Sequence, residues 1–245
     1  MELDEYRAIK RVPKTFVNYE LFRKEALILK GIRDQAIPIV YDLAEDEQYS
    51  YLIEEYLEGD SLYALVSESG HCSSAMTIRY GIQICHLVHI MHSTMPTPVL
   101  YLDLQPKNLL LYKNTIKLID FDHAVYADEA ERLAERYGTA GCAAPEQYTG
   151  DVLDGRTDIY AIGAVLHYML TGHFPGEPVR PEQVKLSGIT ERRLMRLIRK
   201  CLQKEKDRRF QTAEELEQAL QKLWEQSENG VFQYGAKRME ESLVI

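Results

Sequence analysis

The stretch Tyr101-Leu-Asp-Leu-Gln-Pro-Lys-Asn108, followed shortly by Leu118-Ile-Asp120-Phe121, decides how this chain is read. It sets one carboxylate, one amide and a second carboxylate on loops beside short apolar runs that read as strands. Oxygen-bearing side chains of this kind suit a hard cation such as Mg²⁺, which keeps several waters and needs few protein ligands. They also suit phosphoryl transfer, where charge accumulates and catalysis is mostly positioning and electrostatics. Asp-containing turns beside strands are common in α/β proteins; the two segments together, at this spacing, carry the information.

With 245 residues, 45% of them hydrophobic and 27% charged, the chain has the composition of an ordinary globular protein and can bury a full core. A net charge of −9 argues against nucleic-acid binding, which relies on clustered Lys and Arg, and makes a basic partner easier to accommodate. The opening MELDEYRAIK is charged from its second residue, unlike a secretory signal, and the apolar run from Tyr160 to Leu170 is too short to span a bilayer. The expectation is a cytoplasmic protein with no membrane partner. Cys72, Cys85, Cys142 and Cys201 are far apart, without a C-x-x-C pair, and read as free thiols.

Short β-branched and aromatic runs within Tyr6–Val12 and Ile37–Leu57 flank a helix-like segment from Tyr19 to Lys30. Gly59-Asp60-Ser61 punctuates the chain, with Asp60 or Ser61 as the N-cap of a second helix. Beyond it the pattern is mostly helical. Ile82–Met91 reads as a buried helix, and Leu109–Leu111 with Ile116–Ile119 as a hairpin turning at Lys113-Asn114. An apolar helix from Asp158 to Leu170 ends at Gly172, and Leu194, Leu197, Ile198, Cys201 and Leu202 follow helical spacing. Thr212 with Glu215 suggests a capping box opening a last helix through Trp224, and no sustained period follows from Gln226. His86, His89 and His92 read as packing and capping residues. The basic cluster Arg192, Arg193, Arg196, Arg199 and Lys200 reads as a solvated helix face, with an acidic partner as the sharper reading.

From about Arg7 to about Trp224 the motifs resemble, in order, those of bacterial-type serine/threonine protein kinases. Ala8-Ile9-Lys10 is similar to the strand whose Lys grips the nucleotide phosphates, and Glu25 to the helix Glu that pairs with it. Asp103 and Asn108 fit D-L-x-x-x-N, which implies Asp103 as the base that accepts the substrate hydroxyl proton and Asn108 and Asp120 as Mg²⁺ ligands. Tyr51-Leu-Ile-Glu-Glu-Tyr-Leu-Glu-Gly59 looks like the hinge, which implies adenine contacts near Glu55 and Leu57, with Ala8 and Leu110 on the two faces of the ring. Gly138 to Glu146 resembles the substrate-binding loop and A-P-E motif, with Glu146 paired to Arg209. Asp158–Gly163 resembles the helix that anchors the catalytic loop.

The departures are specific. Nine residues precede Lys10, too few for two further strands and a Gly-rich loop, and no G-x-G-x-x-G occurs among the 14 glycines. Leu102 stands where many kinases have Arg, Gln105 replaces a Lys aimed at the transferred phosphate, and Asp122 replaces the Gly after Phe121. Glu54, at the back of the implied adenine pocket, is unusual for its charge. Thr139 is the only Ser or Thr between Asp120 and Glu146, so the chain is not expected to be switched on by phosphorylation there.

The expected fold is α+β: a two-lobed protein-kinase-like fold with a truncated N-terminal lobe over 1–57, a mainly helical C-terminal lobe over 58–225 and a tail over 226–245. The resemblance implies phosphoryl transfer from ATP, with Mg²⁺, to a protein Ser or Thr. Two other readings stand beside it: a pseudokinase acting as a nucleotide-sensing or interaction module, and, with less weight, a small-molecule kinase of the aminoglycoside or choline type, which lacks the Ala144-Pro145-Glu146 signature. The exposed edge of a reduced N-terminal sheet also invites dimer contacts.

Overall fold

Alternating exposure along Arg7–Pro13 makes that segment a strand, β1, and the computed structural model, which describes residues 6–15, 19–130, 138–177 and 188–241, pairs it with a later one. After helix α1 (Tyr19–Gly31) come β2 (Val40–Glu45) and β3 (Tyr49–Glu55), forming an antiparallel sheet in the order β1-β3-β2. The register sets Ala8 opposite Glu54 and Lys10 opposite Leu52. Opposed residues of antiparallel strands project to one face. Ala8, Lys10, Leu52 and Glu54 therefore share a face of the sheet. Among the described residues β1 pairs on one side only.

Ser61, the predicted N-cap, ends the short strand β4 (Asp60–Ser61) and accepts a hydrogen bond from Ala64 N at 3.1 Å to open α2 (Leu62–Ser69). Helix α3 (Ser74–His92) is longer than the expected Ile82–Met91 and starts on a Ser73 cap. A short strand β5 (Val99–Leu100) leads through the quoted stretch to β6 (Leu109–Tyr112) and β7 (Thr115–Leu118). Lys113 and Asn114 have φ of 47° and 66°, so a two-residue turn joins these strands with both central residues left-handed, as a tight hairpin requires. Strand β8 (Val125–Tyr126) pairs back with β5.

The remaining elements are helical: α4 (Glu146–Thr149), α5 (Gly155–Thr171), α6 (Ile189–Cys201), a single 3₁₀ turn at Lys206–Arg208 and α7 (Ala213–Glu241). Nearly all of α5 is buried, and a Cβ on its Gly163 would lie 2.4 Å from Cys201 Cβ, so only Gly lets α6 pack this closely. Thr212 Oγ1 accepts from Glu215 N at 3.1 Å, half of the expected capping box; the Glu215 carboxylate accepts from Gln211 N instead. Helix α7 continues past Trp224 to Glu241, through the segment assigned to a tail, because propagating a helix needs no apolar stripe. The four cysteines are free and buried. Among the described residues no helix is long and apolar enough to cross a membrane.

One apolar core runs from Phe22, Leu29 and Leu52 beside the small sheet, through Tyr101 and Phe121, to Leu166 and Leu220 among the helices. Within it sits one fully used guanidinium. Arg209 donates from Nη1 to Glu146 Oε1 (2.6 Å) and Arg156 O, from Nη2 to Glu146 Oε2 (2.8 Å) and Lys204 O, and from Nε to Gln203 O. All its N–H donors are thus engaged in a site where an unpaired charge would be costly. Replacing Glu146 by Ala is expected to destabilise the fold by about 3–5 kcal/mol in urea unfolding. A loss below about 1 kcal/mol would show that the pair is dispensable.

Candidate active site

Asp158, completely buried in the first turn of α5, organises the loop between β5 and β6. Its Oδ2 accepts from Tyr101 N (2.9 Å) and lies 2.8 Å from His92 Nε2, while its Oδ1 accepts from Leu102 N (2.8 Å). Leu102 has φ 64°, and Asp103 N donates to Tyr101 O at 2.9 Å. Together these describe a tight positive-φ turn, strained for a leucine by roughly 1–3 kcal/mol. The Asp158 bonds offset that strain, as does Gln147 Nε2, which donates to Leu102 O at 2.9 Å. Gln147 Oε1 accepts from Ala144 N, so one amide fastens the A-P-E segment to the loop.

This turn presents Asp103, whose Oδ1 accepts from Thr139 Oγ1 at 2.7 Å. Its Oδ2 accepts from Gln105 Nε2 at 2.8 Å and from Asn108 Nδ2 at 3.2 Å. Asn108 is held further by Nδ2 donating to Asp103 O, and its own carbonyl accepts from Ile119 N at 3.0 Å. Through that bond the quoted loop meets the Asp120 segment.

Asp120 also has a left-handed backbone, with φ 64°, a conformation Asp tolerates better than most residues. The Tyr101 hydroxyl lies 2.6 Å from Ile119 O and 2.8 Å from Asp120 O, and its ring meets Phe121 edge-on at 5.2 Å. Burial pushes the Tyr101 pKa well above its ordinary value, so the hydroxyl stays a donor.

Lys10 Nζ reaches Glu25 Oε1 (3.0 Å) and Oε2 (3.1 Å), Asp120 Oδ1 (3.1 Å) and Asp122 Oδ1. Oxygens of Glu25, Asp120 and Asp122 lie within 4.8 Å of one another around that ammonium. Burial pushes the Glu25 carboxyl up, and Lys10 opposes the rise. Half-buried Glu54 is pushed up to about 7, by burial first and then by Glu25 and Asp120, against Lys10.

The expected residues thus fall into two hydrogen-bonded groups. Lys10, Glu25 and Asp120 form one, Asp103 and Asn108 the other, and Ile119 joins them. The expected adenine contacts are dispersed: Ala8 on β1, Glu55 at the end of β3, buried Leu57 just beyond, and half-buried Leu110 on β6. Glu55 N is engaged by Ile39 O at 2.8 Å. Three participants were missed in the sequence: His92, read only as a packing or capping residue, and Gln147, which brace the strained turn, and Asp122, noted only as a departure and found on Lys10.

A family model described as protein kinase domain matches residues 2–229. The chain belongs to that family. Its relatives include a protein named as a probable serine/threonine-protein kinase in Clostridium perfringens, 28% identical over 91% of this chain and 35% of the relative. Another so named in Clostridium acetobutylicum is 28% identical over 87% of this chain and 35% of the relative. The serine/threonine-protein kinase PknB of Mycolicibacterium smegmatis is 29% identical over 84% and 36%. The chain spans about a third of the length of these relatives. The family supports the two-lobed reading of the fold, with a small sheet before the hinge and helices after it.

The Glu54 environment has a measurable consequence. In the unfolded chain its proton leaves near 4.5, and in the folded protein near 7, so the folded state binds more protons between those values. Stability from this group is full below pH 4.5 and is lost as pH rises to 7. Urea unfolding at pH 5 and pH 7 is expected to show a decline in wild type that Glu54→Gln reduces by on the order of 1 kcal/mol, after allowance for solvent screening. An identical decline in both proteins would refute this environment for Glu54.

Proposed function

We propose that this kinase domain transfers the γ-phosphoryl group of ATP, with Mg²⁺, to a Ser or Thr hydroxyl of a protein. The observation that carries the reading is the 2.7 Å bond from the Thr139 hydroxyl to Asp103 Oδ1. A hydroxyl arriving from the side of the substrate loop already delivers its hydrogen to this carboxylate. An ionised carboxylate has about four acceptor sites, so Thr139, Gln105 and Asn108 leave room for a substrate hydroxyl.

Asp103 is the base, held by Gln105 and Asn108 so that proton acceptance requires no rearrangement. The oxygens of Asn108 and Asp120 suit a hard cation and would hold Mg²⁺. When bound, Mg²⁺ supplies charge neutralisation for the phosphates and the transferring group. Lys10 offers its ammonium to phosphate, and Glu25 orients it from a buried position. The base would lie against Ala8 and Leu110, with hinge contacts at Glu55 and Leu57. Gln105 gives a neutral donor where the kinase pattern has a cation.

Persistence of all five polar residues, joined by hydrogen bonds, disfavours a purely scaffolding module. Ala144-Pro145-Glu146, braced by Gln147 and Arg209, favours a protein substrate over a small alcohol. Among the described residues β1 pairs on one side only, and dimerisation by its other edge belongs to the same reading.

Millimolar Mg-ATP is expected to raise the melting temperature, because a ligand of the folded state alone must stabilise it. Asp103→Asn should keep that shift and lose about 10²- to 10⁴-fold in phosphate transfer to a basic test protein. A wild-type shift without any transfer would instead mark a nucleotide sensor.

The Lys10 contacts generate a separate expectation. An ammonium has three donors, and here they face three carboxylates, so phosphate must displace one of them. Asp122, 46% exposed, is more readily displaced than Glu25, which is 5% exposed. Asp122→Gly should lower the KM for ATP about fivefold with kcat little changed, since a partly exposed ion pair is worth about 1 kcal/mol. A higher KM would mean that Asp122 assists nucleotide binding.

A further inference from the structure

Glu54 is a carboxylate with no role in the mechanism above. It shares a sheet face with Ala8, directly opposite, and with Lys10, two residue pairs further along. Lys10 marks that face as the cleft face, since it points to Glu25 and Asp120. Two residues of strand advance about 7 Å, so Glu54 lies that far from the Leu52–Lys10 pair in the direction of the hinge.

The surroundings of Glu54 are unusual for an acid. It is half-buried, its charge is opposed by Glu25 and Asp120, and among the described residues its carboxylate has no hydrogen-bond donor or ion-pair partner. Glu55, its neighbour, bonds Ile39, and the other acids around the cleft are all engaged. A partly buried acceptor without a donor is costly unless a ligand supplies one. On the reading that phosphates meet Lys10 and the base meets the hinge, the ligand edge nearest Glu54 is the exocyclic edge of the purine.

We infer that Glu54 is a specificity-determining residue that selects a purine with an amino group at position 6 and rejects one with an oxo group there. A 6-amino group donates to the carboxylate. A 6-oxo group sets acceptor against acceptor and leaves both without hydrogen. The inference rests on the Mg-ATP reading above and adds to it a named source of base discrimination.

The test uses the full chain at pH 8.0 with Mg²⁺ and measures ATP and GTP dissociation constants by calorimetry for wild type, Glu54→Gln and Glu54→Leu. Wild type is expected to bind ATP at least about tenfold more tightly than GTP, the factor that corresponds to one well-placed hydrogen bond. Glu54→Gln, whose amide both donates and accepts, should bring the two within about threefold, chiefly by improving GTP. Glu54→Leu should weaken ATP without weakening GTP, which preserves the test if the Gln variant folds poorly. An unchanged ATP-to-GTP ratio in both variants overturns the role of Glu54 and leaves the Mg-ATP reading intact. Failure of wild type to bind either nucleotide overturns both.

Discussion

The Asp158 carboxylate is fully buried, a placement that carries a desolvation cost of several kcal/mol unless donors surround it. Its donors are the Tyr101 and Leu102 amides, with His92 beside one oxygen. Satisfying this one charge therefore dictates the backbone of the catalytic loop, including a strained left-handed leucine. From there the constraint travels through Tyr101. Its amide is fixed on α5, its ring lies edge-on to Phe121, and its hydroxyl reaches the carbonyls of Ile119 and Asp120. Asp120 in turn meets Lys10, and Lys10 meets Glu25. A chain of contacts thus leads from the most buried helix to the small sheet; its links at Asp158 and Tyr101 are costly to break because they are buried, while the Asp120–Lys10 link is partly exposed.

That dependence explains how much could be read from the chain alone. Asp103, Asn108 and Asp120 are legible because the proposed chemistry calls for those side chains at those separations, and Lys10 with Glu25 because the later motifs follow in order. The hairpin at Lys113-Asn114 and the Ser61 cap were legible as local chemistry, decided by residues within one turn of the site. The braces were not. Gln147 and His92 act over separations of 45 and 66 residues, and neither residue type signals a buried bridging role. Asp122 was visible only as a misfit; its partner is 112 positions away. The closing helix was cut short because it was read by an apolar stripe, and its continuation to Glu241 has none to show.

Electrostatics in the cleft make two of the departures act in the same direction. Replacing a loop Lys by Gln105 removes a positive charge near the transferred group, and Asp122 adds a negative one beside Lys10. Both changes make the cleft less welcoming to a polyanion, and Glu54 adds a further carboxyl. On the proposed reading, a bound Mg²⁺ would therefore matter more here than in a cleft with the usual lysine, because fewer fixed positive charges share the work. Glu54 lessens its own cost by holding its proton to about pH 7, so the net charge of the cleft varies near neutrality.

Regulation follows from the same geometry. In kinases with an Arg before the catalytic Asp, a phosphate on the activation segment has a cation to meet. Here that position is Leu102, whose side chain is buried with Leu100, Val125 and Leu153 and can meet no anion. Thr139, the only Ser or Thr between Asp120 and Glu146, already has its hydroxyl on Asp103. A phosphate at Thr139 would place about two negative charges against the Asp103 carboxylate, which on the proposed reading opposes activity. The segment is instead fastened to the loop by the Thr139 hydroxyl on the Asp103 carboxylate and by the Gln147 amide, bonds that need no modification to form. What can still move in this site is the partner of Lys10. On the proposed reading, exchange of Asp122 for a nucleotide phosphate would place control of the site with nucleotide binding itself, a step the buried Asp158 clamp leaves free to occur.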